Sequence, residues 1–130
     1  MINKREAHWQ TVFNQYLREK KMHGFFELKV TVMETFPFSK IESVQYEGLQ
    51  ATEHNGLIWK LSDQDMRPKP CDVLSIPPLP SYIVIHFVDG FYFIRIAEIV
   101  KMREDGKISI SHEMAKNKAE KVVLTATATL

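Results

Sequence analysis

The chain has one cysteine, Cys71, in 130 residues, which rules out an internal disulfide and favours a reducing compartment. It also lacks any Cys/His spacing suited to zinc. Excess charge is missing: 17 Lys and Arg against 16 Asp and Glu give a formal charge of +1, so nothing marks a globally polycationic nucleic-acid binder. Long apolar runs are missing too. No stretch approaches the roughly 20 residues of a membrane helix, and the opening "MINKREAHWQ" is charged where a signal peptide would be apolar. These absences lead us to expect a soluble, cytoplasmic protein. A hydrophobic content of 45% with 25% charged residues suits one compact domain spanning residues 1–130.

Hydrophobic periodicity predicts a helix over residues 3–22, with Trp9, Val12, Phe13, Tyr16 and Leu17 on one face. "GFFELKVT" follows as a strand. Pro37 breaks the chain, and Ser39 with Glu42 at capping-box spacing predicts a helix over residues 40–54 with a stripe of Ile41, Val44, Leu49 and Thr52. "LIWKLS" and "CDVLS" read as short strands separated by a polar, Pro-punctuated loop. "SYIVIHFV" and "FYFIRIAEIV" flank Asp89-Gly90, a strong hairpin signal. "KISI" is a further strand, Ser111 caps a helix to about Lys121, and the tail "VVLTATATL" adds an edge strand or is mobile. The element order gives an α/β domain with a mixed sheet flanked by helices. The helix at 40–54 would cross over between "FFELKVT" and "LIWKLS" as parallel neighbours.

Side chains alternate across a strand, so Glu27 and Lys29 share one face while Phe26, Leu28 and Val30 take the other. An exposed face accounts for that alternation by itself. Three more residues alter the balance. Glu6 lies three and seven residues before Trp9 and Phe13, which puts it on the inward stripe of its helix. Gln45 sits four residues after Ile41 and four before Leu49, and Asp72 is bracketed by apolar neighbours in "KPCDVLS". Individually these are a helix-terminal acid, a structural amide and a turn residue. Together they are carboxylates, a lysine and an amide, a set that suits a hard divalent cation and phosphodiester hydrolysis.

"FELKVT" followed by "FPFSKIESVQYEGL" resembles the ExK motif and downstream helix glutamine of the PD-(D/E)xK nuclease superfamily, in its Holliday-junction-resolvase-like branch of small phage-type and recombination-associated members. The likeness continues through "GLIWKLSD", "KPCD" and "SYIVIHF", covering roughly residues 5 to 95. It implies a restriction-endonuclease-like sheet and a Mg2+- or Mn2+-dependent endonuclease acting on branched DNA. It further implies that Glu27, Asp72 and the Leu28 carbonyl hold the metal, that Glu6 acts at the metal through water, that Lys29 handles the attacking water and that Gln45 steadies the lysine or a phosphate. In the superfamily's common order the metal-binding Asp precedes ExK. Residues 7–26 contain no Asp, so Asp72 would supply that carboxylate from a later strand.

The expected partner is branched DNA, met by the local basic clusters Arg18, Lys20 and Lys21 and Arg67 and Lys69. Resolvase-like enzymes act as dimers, which makes a homodimer a second expected partner. Two alternatives stay open: a nuclease-fold protein that binds DNA or a recombination partner without cutting it, and a generic α/β domain of unrelated role.

Overall fold

The computed structural model describes residues 4–62 and 68–125. Helix α1 (Lys4–Lys20) leads into strand β1 (Phe25–Val30), then β2 (Thr35–Pro37), a short 3-10 turn (Phe38–Lys40) and helix α2 (Ser43–Asn55). Strands β3 (Leu57–Lys60), β4 (Val73–Ile76), β5 (Ser81–Phe87) and β6 (Gly90–Arg95) follow. Helix α3 (Ile96–Glu104), β7 (Ser109–Ser111), α4 (His112–Lys118) and β8 (Lys121–Leu124) complete the chain. Among the described residues no helix is long and apolar enough to cross a membrane.

The main sheet is mixed, with order β1-β5-β6-β8. Strand β5 is buried along its whole length because it is central and covered on both faces, so "SYIVIHF" reads as an almost continuous apolar run. Its even positions Tyr82 and Val84 pack with Leu28, Phe91 and Phe93 under Trp9 and Phe13 of α1. Its odd positions Ile83, Ile85 and Phe87 pack with Tyr92 and Ile94 under Leu49 of α2, Ile99 of α3 and Ala115 of α4. The domain is therefore a single small α/β layer structure, with α1 on one face of the sheet and the other three helices on the opposite face.

Several expectations are corrected. The parallel neighbour of β1 is β5, in register from Phe25↔Ser81 to Val30↔His86, while β3 pairs antiparallel with β4 in a separate two-stranded arm. An edge role suits β3, since Ile58, Trp59 and Lys60 are exposed and cannot fill a central position. The expected helix at 40–54 starts later, at Ser43, because Ile41 is extended (φ −91°, ψ 113°), and its N-cap is Glu42 rather than Ser39. Val44 is consequently turned out, 77% exposed. The run "FYFIRIAEIV" is not one strand: it changes to helix at Ile96, and Ile96, Ile99 and Met102 bury one helical face.

The last helix, expected to about Lys121, ends at Lys118, and Lys121 opens strand β8. The hairpin forms, but its two-residue turn is Val88-Asp89, one residue earlier than expected, because Gly90 already pairs with Phe87; Ser111 caps α4 by accepting the Met114 amide at 3.0 Å. Strand β8 lies at the edge of the main sheet, and residues 126–130 of the tail lie outside the described residues. The Tyr92 hydroxyl donates to Asp89, 3.0 Å from each carboxylate oxygen, and lies 2.9 Å from His112 Nε2, tying the hairpin turn to α4. On the other side of the sheet's edge, the Glu53 carboxylate accepts the Ser81 amide at 3.0 Å and Arg95 Nη2 at 2.7 Å. That pair of bonds fixes α2 over the start of β5, which sets the position of the cleft described next.

Candidate functional site

Strand β1 is the outer strand of its sheet, so among the described residues one of its backbone edges has no strand partner. Phe25 and Thr31 donate their amides to Pro80 and His86 on the β5 side, at 2.9 and 3.0 Å. With the two-residue alternation of a strand, Glu27 and Lys29 direct their backbone groups the same way, and the Leu28 carbonyl points to the open edge. The Glu27 and Lys29 side chains project from the sheet face that α2 covers, opposite to buried Leu28.

Beside this edge lies an open cleft of about 700 Å3. Strand β1 contributes Phe25, Phe26 and Glu27, α2 contributes Gln45, Gly48, Leu49 and Thr52, and the arm contributes Leu57 and Trp59. Glu27 and Gln45, expected to share a site, are thus brought together. Burial holds the Glu27 carboxyl above the usual carboxylate range; Lys29 pulls it back, and Glu42 and Glu6 push it up further. Glu6 and Lys29 therefore each lie within electrostatic reach of Glu27. Glu6 itself lines a neighbouring hollow of about 430 Å3 at the end of β1, together with Arg5, Val30, Pro37 and Lys40.

Gln45 does a job that its position alone does not reveal. Its Oε1 accepts the Glu42 backbone amide at 3.3 Å, closing a reciprocal capping box at the start of α2. Sequence reading missed Glu42 because Ser39 and Glu42 have the same spacing one turn earlier. It also missed Trp59, Gly48 and Thr52 as cleft residues. The signal for Trp59 was its place on a short strand too exposed for the main sheet.

The structure does not bring Asp72 to the group around Glu27. Its side chain is 83% exposed and pairs with Lys69 at 3.1 Å, and it is not among the charges acting on Glu27. Its register is nevertheless specific. The arm pairs Leu57↔Ile76 and Trp59↔Leu74, and the Leu61 amide continues the ladder to the Asp72 carbonyl at 2.9 Å. Paired residues share a face, so Asp72 stands on the same face of the arm as Trp59, two residues further out. Arg18, Lys20 and Lys21 are exposed at the end of α1, on the sheet face away from the cleft. Lys69 is engaged by Asp72, and Arg67, Asp63 and Asp65 lie outside the described residues. Among the described residues, no three His, Cys, Asp or Glu side chains are grouped to hold a metal ion. No protein-family model matches the chain, and neither a curated protein nor a solved structure is significantly similar to it.

Proposed function

We propose that the chain is a magnesium-dependent endonuclease that hydrolyses phosphodiester bonds in branched DNA, on a sheet of the restriction-endonuclease-like kind. The observation that carries this reading is Glu27. It is a half-buried carboxyl at the mouth of a cleft, with two more carboxylates raising its proton affinity, Lys29 on the same strand face and the Leu28 carbonyl at the adjoining open edge. Carboxylates whose charges raise the proton affinity of another also favour a cation beside it.

The donor set fits magnesium in particular. That ion retains several waters and is commonly held by one or two carboxylates together with the substrate's phosphates, so a preformed cage of three acidic side chains is not required. Glu27 and the Leu28 carbonyl would hold it, with Asp72 joining from the arm and Glu6 acting through water. When bound, such an ion acidifies a water and neutralises charge on the phosphate. Lys29 orients the attacking water and offsets the negative charge that grows on the phosphoryl oxygens. Gln45, fixed through its cap bond to Glu42, presents its remaining amide group to the lysine or a phosphate. A second reading, DNA binding without cutting, is favoured by the Asp72–Lys69 pair, which leaves one expected ligand engaged elsewhere.

Thermal unfolding in EDTA and in Mg2+ tests the site. A carboxyl whose folded pKa is raised binds protons more tightly folded than unfolded, so wild-type stability should fall as pH rises from the group's ordinary value of 4.5 through the raised one. Glu27→Gln should remove that loss and be the more stable protein in EDTA at pH 7. Magnesium should stabilise the wild type, by about 2.7 kcal/mol at a hundredfold excess over Kd, and leave Glu27→Gln unmoved. Equal magnesium responses in the two proteins would exclude Glu27 as a ligand.

A further inference from the structure

Within the cleft, one residue has no explanation in the folded chain. Gly48 lies inside α2, where glycine is the least favourable residue after proline. Its backbone needs no left-handed conformation, and a Cβ added there would meet nothing within 4 Å. Neither strain nor crowding calls for glycine, and the space that a side chain would fill is the cleft itself. On the arm bordering the same cleft, Trp59 leaves 56% of its surface exposed. Alongside them the cleft carries Glu27, Gln45 and Thr52, with Lys29 on the strand face of Glu27 and in no ion pair among the described residues.

We infer that this cleft accepts an unpaired nucleobase of the substrate, stacked on Trp59 in the space that Gly48 leaves open. The inference rests on the endonuclease reading and names its substrate class: DNA with an unpaired nucleotide next to the phosphate that is cut. A planar ring on an aromatic side chain gains stacking whatever the base, so Trp59 provides affinity without sequence preference. Gln45 provides a polar group for the edge of the base, and Lys29, two residues along the strand from Glu27, provides the positive charge for its phosphate. A second copy of the chain is the poorer occupant. It would cover the exposed Ile58, Val73 and Leu74 of the arm, but an apolar face seated in the cleft would also desolvate Glu27 and Gln45 without pairing them.

Tryptophan fluorescence tests this in EDTA, with a short oligothymidylate and a blunt duplex as probes. Trp9 is buried and stacked on His86, so quenching by added DNA reports on Trp59. The wild type should be quenched by the oligothymidylate and much less by the duplex. Trp59→Leu should bind the single strand about tenfold or more weakly, measured by anisotropy of a labelled strand. Gly48→Leu should weaken it comparably while melting no lower than the wild type, because the folded chain leaves room for the side chain; Gly48→Ala should melt a few degrees higher. Absence of quenching, or single-strand binding that neither Trp59→Leu nor Gly48→Leu changes, overturns the inference, as does a concentration-dependent dimer that shields Trp59. Single-strand binding lost in both variants while the wild type cuts no DNA in Mg2+ would retain the base site and refute the hydrolase. Cutting that both variants leave intact would do the reverse.

Discussion

Lys29→Met should cut DNA about two to three orders of magnitude more slowly than the wild type in Mg2+, the scale seen when one preorganised charge-stabilising donor is removed from an active site. Methionine preserves the length and apolar character of the stem, so the half-buried position on β1 is still filled and stability should change by less than about 1 kcal/mol. DNA binding should be reduced far less than cutting, because a single cation lost from a polyanion interface is one phosphate contact among several. A second readout is independent of catalysis. Lys29 is the charge that pulls the Glu27 carboxyl down, so without it Glu27 should take up protons more readily, and the loss of stability with rising pH should extend to higher pH. Cutting at the wild-type rate by Lys29→Met would remove the lysine from the reaction.

Asp72→Asn carries the second large expected effect. The side chain is 83% exposed and its partner Lys69 lies at a surface i,i+3 spacing, so loss of the pair should change stability by no more than about 1 kcal/mol. For the same reason its removal should do little to the apo protein's melting in EDTA, where Glu27→Gln is expected to raise it. Cutting in Mg2+, by contrast, should fall by about a hundredfold or more if the arm brings Asp72 to the metal once DNA is bound. The register puts Asp72 on the arm face that Trp59 and Leu57 present to the cleft. Full activity in Asp72→Asn would leave Glu27 to act without it, whereas no cutting by either protein would support the reading in which the chain binds DNA through the cleft and does not cut.

Much of this was legible because it depends on local pattern. The two-residue alternation of "FFELKV" fixes which side chains share a face, and that alternation survives whichever strand pairs with it. Gln45 was legible as an inward residue for the same reason, although its bond to Glu42 was not. Two overlapping capping-box spacings, Ser39 with Glu42 and Glu42 with Gln45, compete in "SKIESVQ", and the choice is made by tertiary burial of Phe38 and Ile41 rather than by cap chemistry. Strand partners were not legible. Parallel pairing of β1 with β5 spans a separation of more than fifty residues, and only the near-total burial of β5 distinguishes it from the exposed β3 as the central strand. The change from strand to helix at Ile96 was hidden because Ile96 and Ile99 continue a mostly apolar run, interrupted by Arg95 and Glu98, while the apolar spacing changes from two to three. The position of Asp72 depends on an arm outside the main sheet, which no periodicity reports.

Incubating the purified chain with a four-way DNA junction and with a matched linear duplex in Mg2+, beside Glu27→Gln and an EDTA control, measures hydrolysis at the proposed site directly. The account predicts products with new strand ends near the branch for the wild type in Mg2+, little cutting of the linear duplex, none in EDTA, and a loss of about two orders of magnitude or more in Glu27→Gln. Cutting of the junction by Glu27→Gln at the wild-type rate, or no cutting by a folded wild type that binds the junction in Mg2+, would contradict it.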